Sequence, residues 1–151
     1  MLIRSLLLLL GLAVTAALPA LQPVTFRQPD KTEVTLGADV RRVYVTADRA
    51  GDKLMASTME GHSQAVLDAQ QAVVIADISG APFFVKRIIR SSLRDREYTT
   101  WMDLDGVIQP QIPHQQDTVT VIDLERGAVA AVRHVDTVEA LRAELGITAA
   151  P

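Results

Sequence analysis

The chain has 151 residues, a net charge of −3, 48% apolar residues and no cysteine. The absence of cysteine excludes disulfides, thiolate catalysis, zinc–thiolate sites and iron–sulfur clusters. The length suits one domain, and the mild acidity gives no electrostatic basis for binding nucleic acid.

The first twenty residues have the pattern of a secretory signal peptide. Arg4 precedes an apolar core, and small residues follow it up to Ala20. Pro19 interrupts the stretch before the roughly 20 apolar residues that a membrane-spanning helix needs. We therefore expect a signal peptide over residues 1–20, with retention as an anchor as the alternative. Residues 21–151 would form one exported domain, ordered over about 23–146, with no membrane span after cleavage.

The first half of this domain predicts a hairpin, a strand and a helix. The hairpin is expected over Gln22–Leu36, with turn-forming residues at Gln28–Lys31. The β-branched run Arg41–Thr46 predicts a central strand, and Asp48 or Asp52 is suited to cap the helix that follows. Four residues spaced for one helical face should be buried: Met55, Met59, His62 and Val66.

The middle of the chain predicts a second unit of strand and helix. Ala72–Ile78 is a nearly continuous apolar run, which is typical of a parallel strand buried on both faces. A helix should run from about Pro82 to Arg96, with Ser79 as a candidate cap. The stripe of this helix that should face the core comprises Phe84, Val85, Ile88, Ile89 and Leu93.

The last third predicts a strand, a hairpin and a capped helix. Thr99–Leu104 should be a strand, and the proline-containing segment Val107–Gln116 should be irregular. Thr118–Leu124 and Ala128–His134 form the hairpin. Asp136–Glu139 has the spacing of a capping box at the start of the final helix. The whole order predicts an α/β or α+β domain with a mixed sheet.

Several strings resemble the periplasmic thioredoxin-like proteins, in particular the TlpA and peroxiredoxin-like branches. Val24–Leu36, Thr118–Val129 and the helix from Thr137 are similar to the opening hairpin, closing hairpin and final helix of those families. A closer similarity, to small exported YtfJ-like proteins without catalytic cysteines, rests on Phe84-Val85, Arg90–Leu93, Trp101–Val107 and Val121–Val129. The resemblance implies a thioredoxin-like mixed sheet with helices on both faces and an N-terminal β-hairpin.

The resemblance also implies where a redox centre would lie. The redox families carry Cys-x-x-Cys where the first strand meets the first helix, near Asp48–Asp52 here, and a cis-proline at about Asp117. Neither feature is present, and without a thiolate both dithiol exchange and thiol-peroxidase chemistry are excluded. One alternative is that this position binds a small anionic ligand near Asp48, Arg49 and the loop that holds Pro113 and His114.

A second alternative is serine hydrolysis. Gly61–Ala65 differs in one residue from the Gly-x-Ser-x-Gly nucleophile elbow, and Asp123 and His134 follow in the order of an α/β-hydrolase triad. The elbow needs a strand directly before it, whereas Lys53–Glu60 has a helical pattern. We therefore assign no catalytic residue and regard hydrolysis as the weakest hypothesis.

A basic stripe lies on the second predicted helix, opposite the apolar stripe. Lys86, Arg87, Arg90 and Arg94 span roughly 100° of helical arc. Two interpretations are open: a docking face for an acidic partner or anionic lipid head groups, centred on Arg87 and Arg90, or an ordinary solvated surface.

Metal and cofactor signals are weak. Asp103, Asp105 and Gly106 match only the start of a calcium loop, and the three histidines are scattered. We predict no metal site and no cofactor. The favoured function is an exported binding or accessory module that meets an unknown periplasmic protein or a small anionic ligand.

Overall fold

The computed structural model describes residues 25–148, which form one seven-stranded sheet with four helices. The strands are β1 (Thr25–Arg27), β2 (Glu33–Thr35), β3 (Arg42–Thr46), β4 (Ala72–Asp77), β5 (Thr100–Asp103), β6 (Val119–Glu125) and β7 (Ala128–Val135). The helices are α1 (Arg49–Met59), α2 (Gln64–Ala69), α3 (Phe83–Arg94) and α4 (Val138–Leu145). The predicted signal peptide and the first residues of the predicted hairpin lie outside the described residues.

The sheet is mixed, with strand order β2-β1-β5-β4-β3-β6-β7. β3 pairs parallel with β4, and β4 pairs parallel with β5, whereas the outer pairings are antiparallel. β3 and β4 are therefore central parallel strands, as their apolar runs predicted. Side chains of both strands are buried on both faces because helices cover one face and a loop covers the other.

The helices share one face of the sheet, which corrects the expectation of helices on both faces. Tyr44 and Val74 pack with residues of α1, α2 and α4, and Ala76, two residues further along β4, packs with Leu93 of α3. The connections β3-α1-β4 and β4-α3-β5 advance in the same direction across the sheet, so right-handed crossovers place both helices on the same side. Ile108 and Ile112 of the irregular segment cover the other face.

The first predicted helix is two helices. Asp48 caps α1, and Met55 and Met59 are buried as expected. The helix ends at Met59 because Gly61 adopts a left-handed φ of 77°, and the chain restarts as α2 with Ser63 as its cap. His62 therefore lies in the connection and is only half-buried, so its predicted place on a buried helical face is wrong.

The α3 helix begins at Phe83, and its predicted burial is right for Leu93 but wrong for Phe84 and Ile88. Leu93 is the one buried residue of α3, whereas Phe84 is 67% and Ile88 66% exposed. Ser79 does not cap the helix, because its hydroxyl bonds the Asp77 carboxylate. The periodicity of α3 identified an apolar stripe correctly, but little of the chain covers that stripe.

The final helix is capped by Thr137, whose hydroxyl accepts from the Ala140 amide at 3.2 Å. The cap thus lies one residue later than the predicted capping box, and Glu139 is not at the position that completes one. Leu141 and Leu145 are buried, and Gly146 ends the helix with a φ of 68°.

An ion cluster ties α4 to the sheet. Arg133 donates to both carboxylate oxygens of Glu144, at 2.7 and 2.8 Å, and to Asp123 at 2.6 Å. Arg42 donates to the other oxygen of Asp123 at 2.7 Å. Burial raises the pKa of Asp123, but hydrogen bonds from both arginines outweigh it and hold the pKa below its usual range. The Arg133 hydrogen bonds likewise lower the pKa of Glu144.

Removing the central guanidinium should make the protein less stable at neutral pH. Because both folded-state pKa values are depressed, the cluster stabilises the fold above the carboxylates' ordinary pKa and loses that effect as the pH falls below about 4. We expect Arg133→Gln to cost roughly 1–2 kcal/mol in urea unfolding at pH 7 and much less at pH 3. Arg27→Gln, which breaks an exposed pair with Glu33, is the control and should have little effect at either pH. An equal loss at both pH values for Arg133→Gln would contradict this assignment.

Gly51 lets α1 approach the start of β6 closely. A Cβ atom built at this residue would overlap the carbonyl oxygen of Thr118. Alanine normally stabilises a helix relative to glycine, but here backbone atoms would have to move to admit it.

We expect Gly51→Ala to destabilise the protein by about 1–3 kcal/mol in urea unfolding, opposite to the usual helical effect. Gly80→Ala is the control, because a Cβ atom at Gly80 has open space around it and should change stability little. Stabilisation by Gly51→Ala would show that the approach to Thr118 imposes no constraint.

Candidate functional site

The junction between β3 and α1 is held by the carboxylate of Asp48. One of its oxygens accepts from the Gly51 amide at 2.7 Å and caps α1. The other accepts from the Asp117 amide at 2.7 Å. His114 also reaches this carboxylate, with its Nε2 3.9 Å from the same oxygen. The structure therefore brings Asp48 together with the His114 loop, as the hypothesis of a site there required.

Asp117 occupies the position at which the resemblance implies a cis-proline. Its φ is 62°, in the left-handed region that aspartate tolerates better than most residues. Within residues 25–148, every peptide bond is trans. The turn at this position is thus made by a left-handed aspartate whose amide is held by Asp48.

A cleft of about 610 Å³ opens beside this junction, between α1 and α3. Thr46 and Ala76, paired in register on β3 and β4, line it at the carboxyl ends of both strands. Val85, Ile89 and Leu93 supply an apolar wall from α3. The volume falls in the range of sites for small molecules.

Thr46 lines this cleft and carries a buried hydroxyl group without a hydrogen-bond partner in the described structure. The residue is 2% exposed, and its Oγ1 has no hydrogen-bond partner among the described residues. A buried hydroxyl without a partner costs free energy that a bound polar group would recover. Thr46 has no distinguishing signal in the sequence, because it is an ordinary β-branched strand residue. Only the register of β3 shows that it faces the helices.

Charges at the rim of the cleft are mostly paired within the protein. Arg96 donates to both oxygens of Asp52, at 2.7 and 3.0 Å. Burial lowers the pKa of Arg96, but Asp52 and Tyr98 outweigh it and raise the pKa above its usual value. Asp48 and Asp77 also line the cleft, and both accept hydrogen bonds from neighbouring residues.

Arg49 lines the cleft, is exposed, and makes no ion pair with another residue in the 25–148 range. The predicted ligand residues Asp48 and Arg49 are thus both at the cleft, whereas His114 contacts Asp48 without lining it. Three carboxylates face two guanidinium groups there, so the cleft is not a basic site. This balance argues against the anionic ligand expected at this position.

The other two predicted site residues lie on the opposite side of α3. Arg87 and Arg90 line a second groove, of about 620 Å³, between α3 and the β1–β2 hairpin. Arg27 of β1, Lys31 between β1 and β2, and Lys86 of α3 also line this groove. Asp105 is the single carboxylate among its lining residues. The structure therefore separates the predicted site residues into two sites.

The three residues of the hydrolase hypothesis have other partners. Ser63 caps α2, accepting from the Ala65 amide at 3.4 Å. Asp123 belongs to the ion cluster, and His134 lies 3.1 Å from the Thr120 hydroxyl. None of the three hydrogen-bonds another, so this geometry gives no support for a serine nucleophile.

The segment similar to a calcium loop is a backbone turn. Both carboxylate oxygens of Asp103, which is 2% exposed, accept from successive backbone amides. The donors are Asp105, Gly106, Val107 and Ile108. In the described part of the chain, no group of three or more acidic, histidine or cysteine side chains is arranged to hold a metal ion.

Comparison with known proteins identifies the fold. No protein-family model matches the chain, and no curated relative matches its sequence. Among solved structures, it is similar to the pneumococcal exposed lipoprotein thioredoxin from Streptococcus pneumoniae, with a TM-score of 0.57 and 12% identity over 83% of this chain and 99% of that one. It is also similar to the thioredoxin domain of a thiol-disulfide oxidoreductase from Bacteroides vulgatus, with a TM-score of 0.52 and 11% identity over 86% of this chain and 98% of that one.

A thioredoxin-like protein from Porphyromonas gingivalis is also similar, with a TM-score of 0.51 and 13% identity over 85% of this chain and 86% of that one. At these identities the likeness shows the fold alone. The chain has a thioredoxin-like fold, and it contains no cysteine. No helix in residues 25–148 has the length and apolar character to cross a membrane.

Asp48 should contribute more than an ordinary helix cap, because it also holds the loop before β6. We expect Asp48→Ala to cost more than the ~1 kcal/mol typical of a lost cap in urea unfolding, and to increase hydrogen exchange at the Asp117 amide. Thr137→Ala removes a cap that binds no second segment and is the matched control. The loss of stability for Asp48→Asn should be smaller than that for Asp48→Ala, because its side-chain amide keeps one of the two acceptor oxygens. Equal losses for Asp48→Ala and Thr137→Ala would show that the second hydrogen bond contributes nothing.

Proposed function

We propose that this chain is an exported binding module of thioredoxin-like fold, without dithiol chemistry, and that its ligand site is the cleft between α1 and α3. The N-terminal signal pattern supports export to the periplasm, and the short YtfJ-like strings support placement in that cysteine-free branch. The observation that carries the proposal is the unpartnered, buried hydroxyl of Thr46 in a cleft of about 610 Å³.

The lining of the cleft defines the class of ligand. Val85 and Ile89 favour an apolar body, because covering them removes apolar surface from water. Thr46 favours one hydrogen-bonding group at the inner end. The three carboxylates at the cleft disfavour an anion. We therefore propose a small ligand with an apolar body and a neutral polar group.

The test compares two probes of equal chain length, 1-octanol and octanoate. A ligand that binds only the folded state raises the unfolding temperature. We expect octanol to raise the unfolding temperature more than octanoate, because the three carboxylates at the cleft repel the octanoate carboxylate. In Thr46→Val, we expect the affinity for octanol to fall roughly fivefold, the equivalent of one hydrogen bond.

The matched control is Thr100→Val. Thr100 is also fully buried with an unpartnered hydroxyl, but it does not line the cleft. Without probe, both variants should be at least as stable as the parent protein, since each removes an unsatisfied polar group. Equal loss of octanol affinity in both variants, or no stabilisation of the parent protein, would refute the proposed site. Stronger stabilisation by octanoate would favour the anionic alternative.

A further inference from the structure

The outward surface of α3 concentrates exposed apolar side chains. Among residues 25–148, four large hydrophobic side chains are exposed, and three of them lie on α3: Phe83 at 77%, Phe84 at 67% and Ile88 at 66%. All three are in the first two turns of the helix. Isolated exposed apolar residues are common on protein surfaces, but a cluster of this kind indicates an interaction.

The same helix forms one wall of the basic groove. Of the five cations that line the groove, only Arg27 makes an ion pair, an exposed contact of 3.4 Å to Glu33. Lys31, Lys86, Arg87 and Arg90 form no ion pair with described residues, and Asp105 is the single acidic lining residue. Arg90 also has a buried Nε atom without a hydrogen-bond partner. This much uncompensated positive charge in a chain of net charge −3 requires counterions.

We propose that α3 and the groove beside it form a docking surface for an anionic lipid bilayer. Phe83, Phe84 and Ile88 would enter the boundary between head groups and acyl chains. The cations of the groove would meet the phosphate groups. A helix with arginine and lysine on one side and large apolar residues on another is the arrangement that binds in the plane of a bilayer surface. Each cation held near an anionic surface strengthens the attraction.

The combination of a small apolar cluster with adjacent cations that are unpaired in the described structure favours a bilayer surface as the partner. A large apolar or aromatic side chain offers roughly 150–250 Å², so three that are about two-thirds exposed present roughly 400 Å². A protein interface buries about 800 Å² on each partner, of which a little over half is apolar, so this area by itself suits either kind of partner. A bilayer needs less apolar area, because electrostatic attraction to its head groups adds to the insertion of a few side chains.

The proposal is tested by co-sedimentation with vesicles, using the protein recovered after export. We expect binding to vesicles of phosphatidylglycerol and phosphatidylcholine, little binding to phosphatidylcholine alone, and strong weakening at 0.5 M salt. Phe83→Ser with Phe84→Ser should reduce binding at least tenfold. Arg87→Glu with Arg90→Glu should do the same. Arg90 is half-buried, so its substitution could prevent folding. In that case Lys31→Glu with Arg87→Glu, both at exposed positions, is used instead and should give the same reduction.

Matched controls separate this surface from general effects of charge and hydrophobicity. Arg41→Glu with Arg126→Glu makes the same change in net charge at exposed positions outside the groove and should leave binding unchanged. Val132→Ser removes the fourth exposed apolar side chain and should also leave it unchanged.

Three results would overturn the proposal. The first is no preference for phosphatidylglycerol. The second is equal loss of binding in the control variants. The third is capture of a polyglutamate peptide with the same affinity before and after Phe83→Ser with Phe84→Ser, which would identify an acidic peptide as the ligand.

Discussion

The carboxylate of Asp48 is the constraint on which the geometry of the candidate site depends. It caps α1 with one oxygen and holds the Asp117 amide with the other, so the helix and the loop before β6 have a fixed relation. Gly51 completes the junction by letting Thr118 approach the helix. The amides of a helix N-terminus stabilise a thiolate in redox proteins that place cysteine there. Here an amide of the first turn of α1 donates to the Asp48 carboxylate instead, and the position contributes to structure.

The two walls of the cleft differ in how firmly they are held. α1 packs through Met55 and Met59 into the main core and is tied to the loop by Asp48. α3 is anchored chiefly near its C-terminal end, by Leu93, and its first two turns are largely exposed. Weakly packed elements are those that open most readily. The dimensions of the cleft therefore depend on α3, and any ligand that covers Val85 and Ile89 would stabilise that helix on the sheet.

The central strands and the caps of α1 and α4 could be predicted from the sequence to within about a residue, because they depend on local chemistry. Apolar runs identify β3 and β4 whatever surrounds them, and Asp48 has the side chain that a cap needs. The environment of α3 could not be predicted from local sequence. Its periodicity shows that one stripe is apolar, but tertiary structure decides what covers the stripe. Two successive right-handed crossovers place α3 beside α1, where the sheet buries Leu93 and leaves Phe84 in solvent. The role of Thr46 likewise follows only from strand register.

The separation of charge across α3 explains why a single site could not account for all the predicted residues. Salt screens exposed charges over about 8–10 Å, so a ligand responds to the groups around it more than to the net charge of the chain. On one side of α3, three carboxylates at the cleft outnumber two guanidinium groups, and Arg96 pairs with Asp52. On the other side, four of five cations have no acidic partner in the described structure. An anion is therefore favoured at the groove and not at the cleft, where the resemblance to redox proteins had predicted an anionic ligand. The helix that separates the two sites also carries the exposed apolar residues, so its two edges suit chemically different ligands.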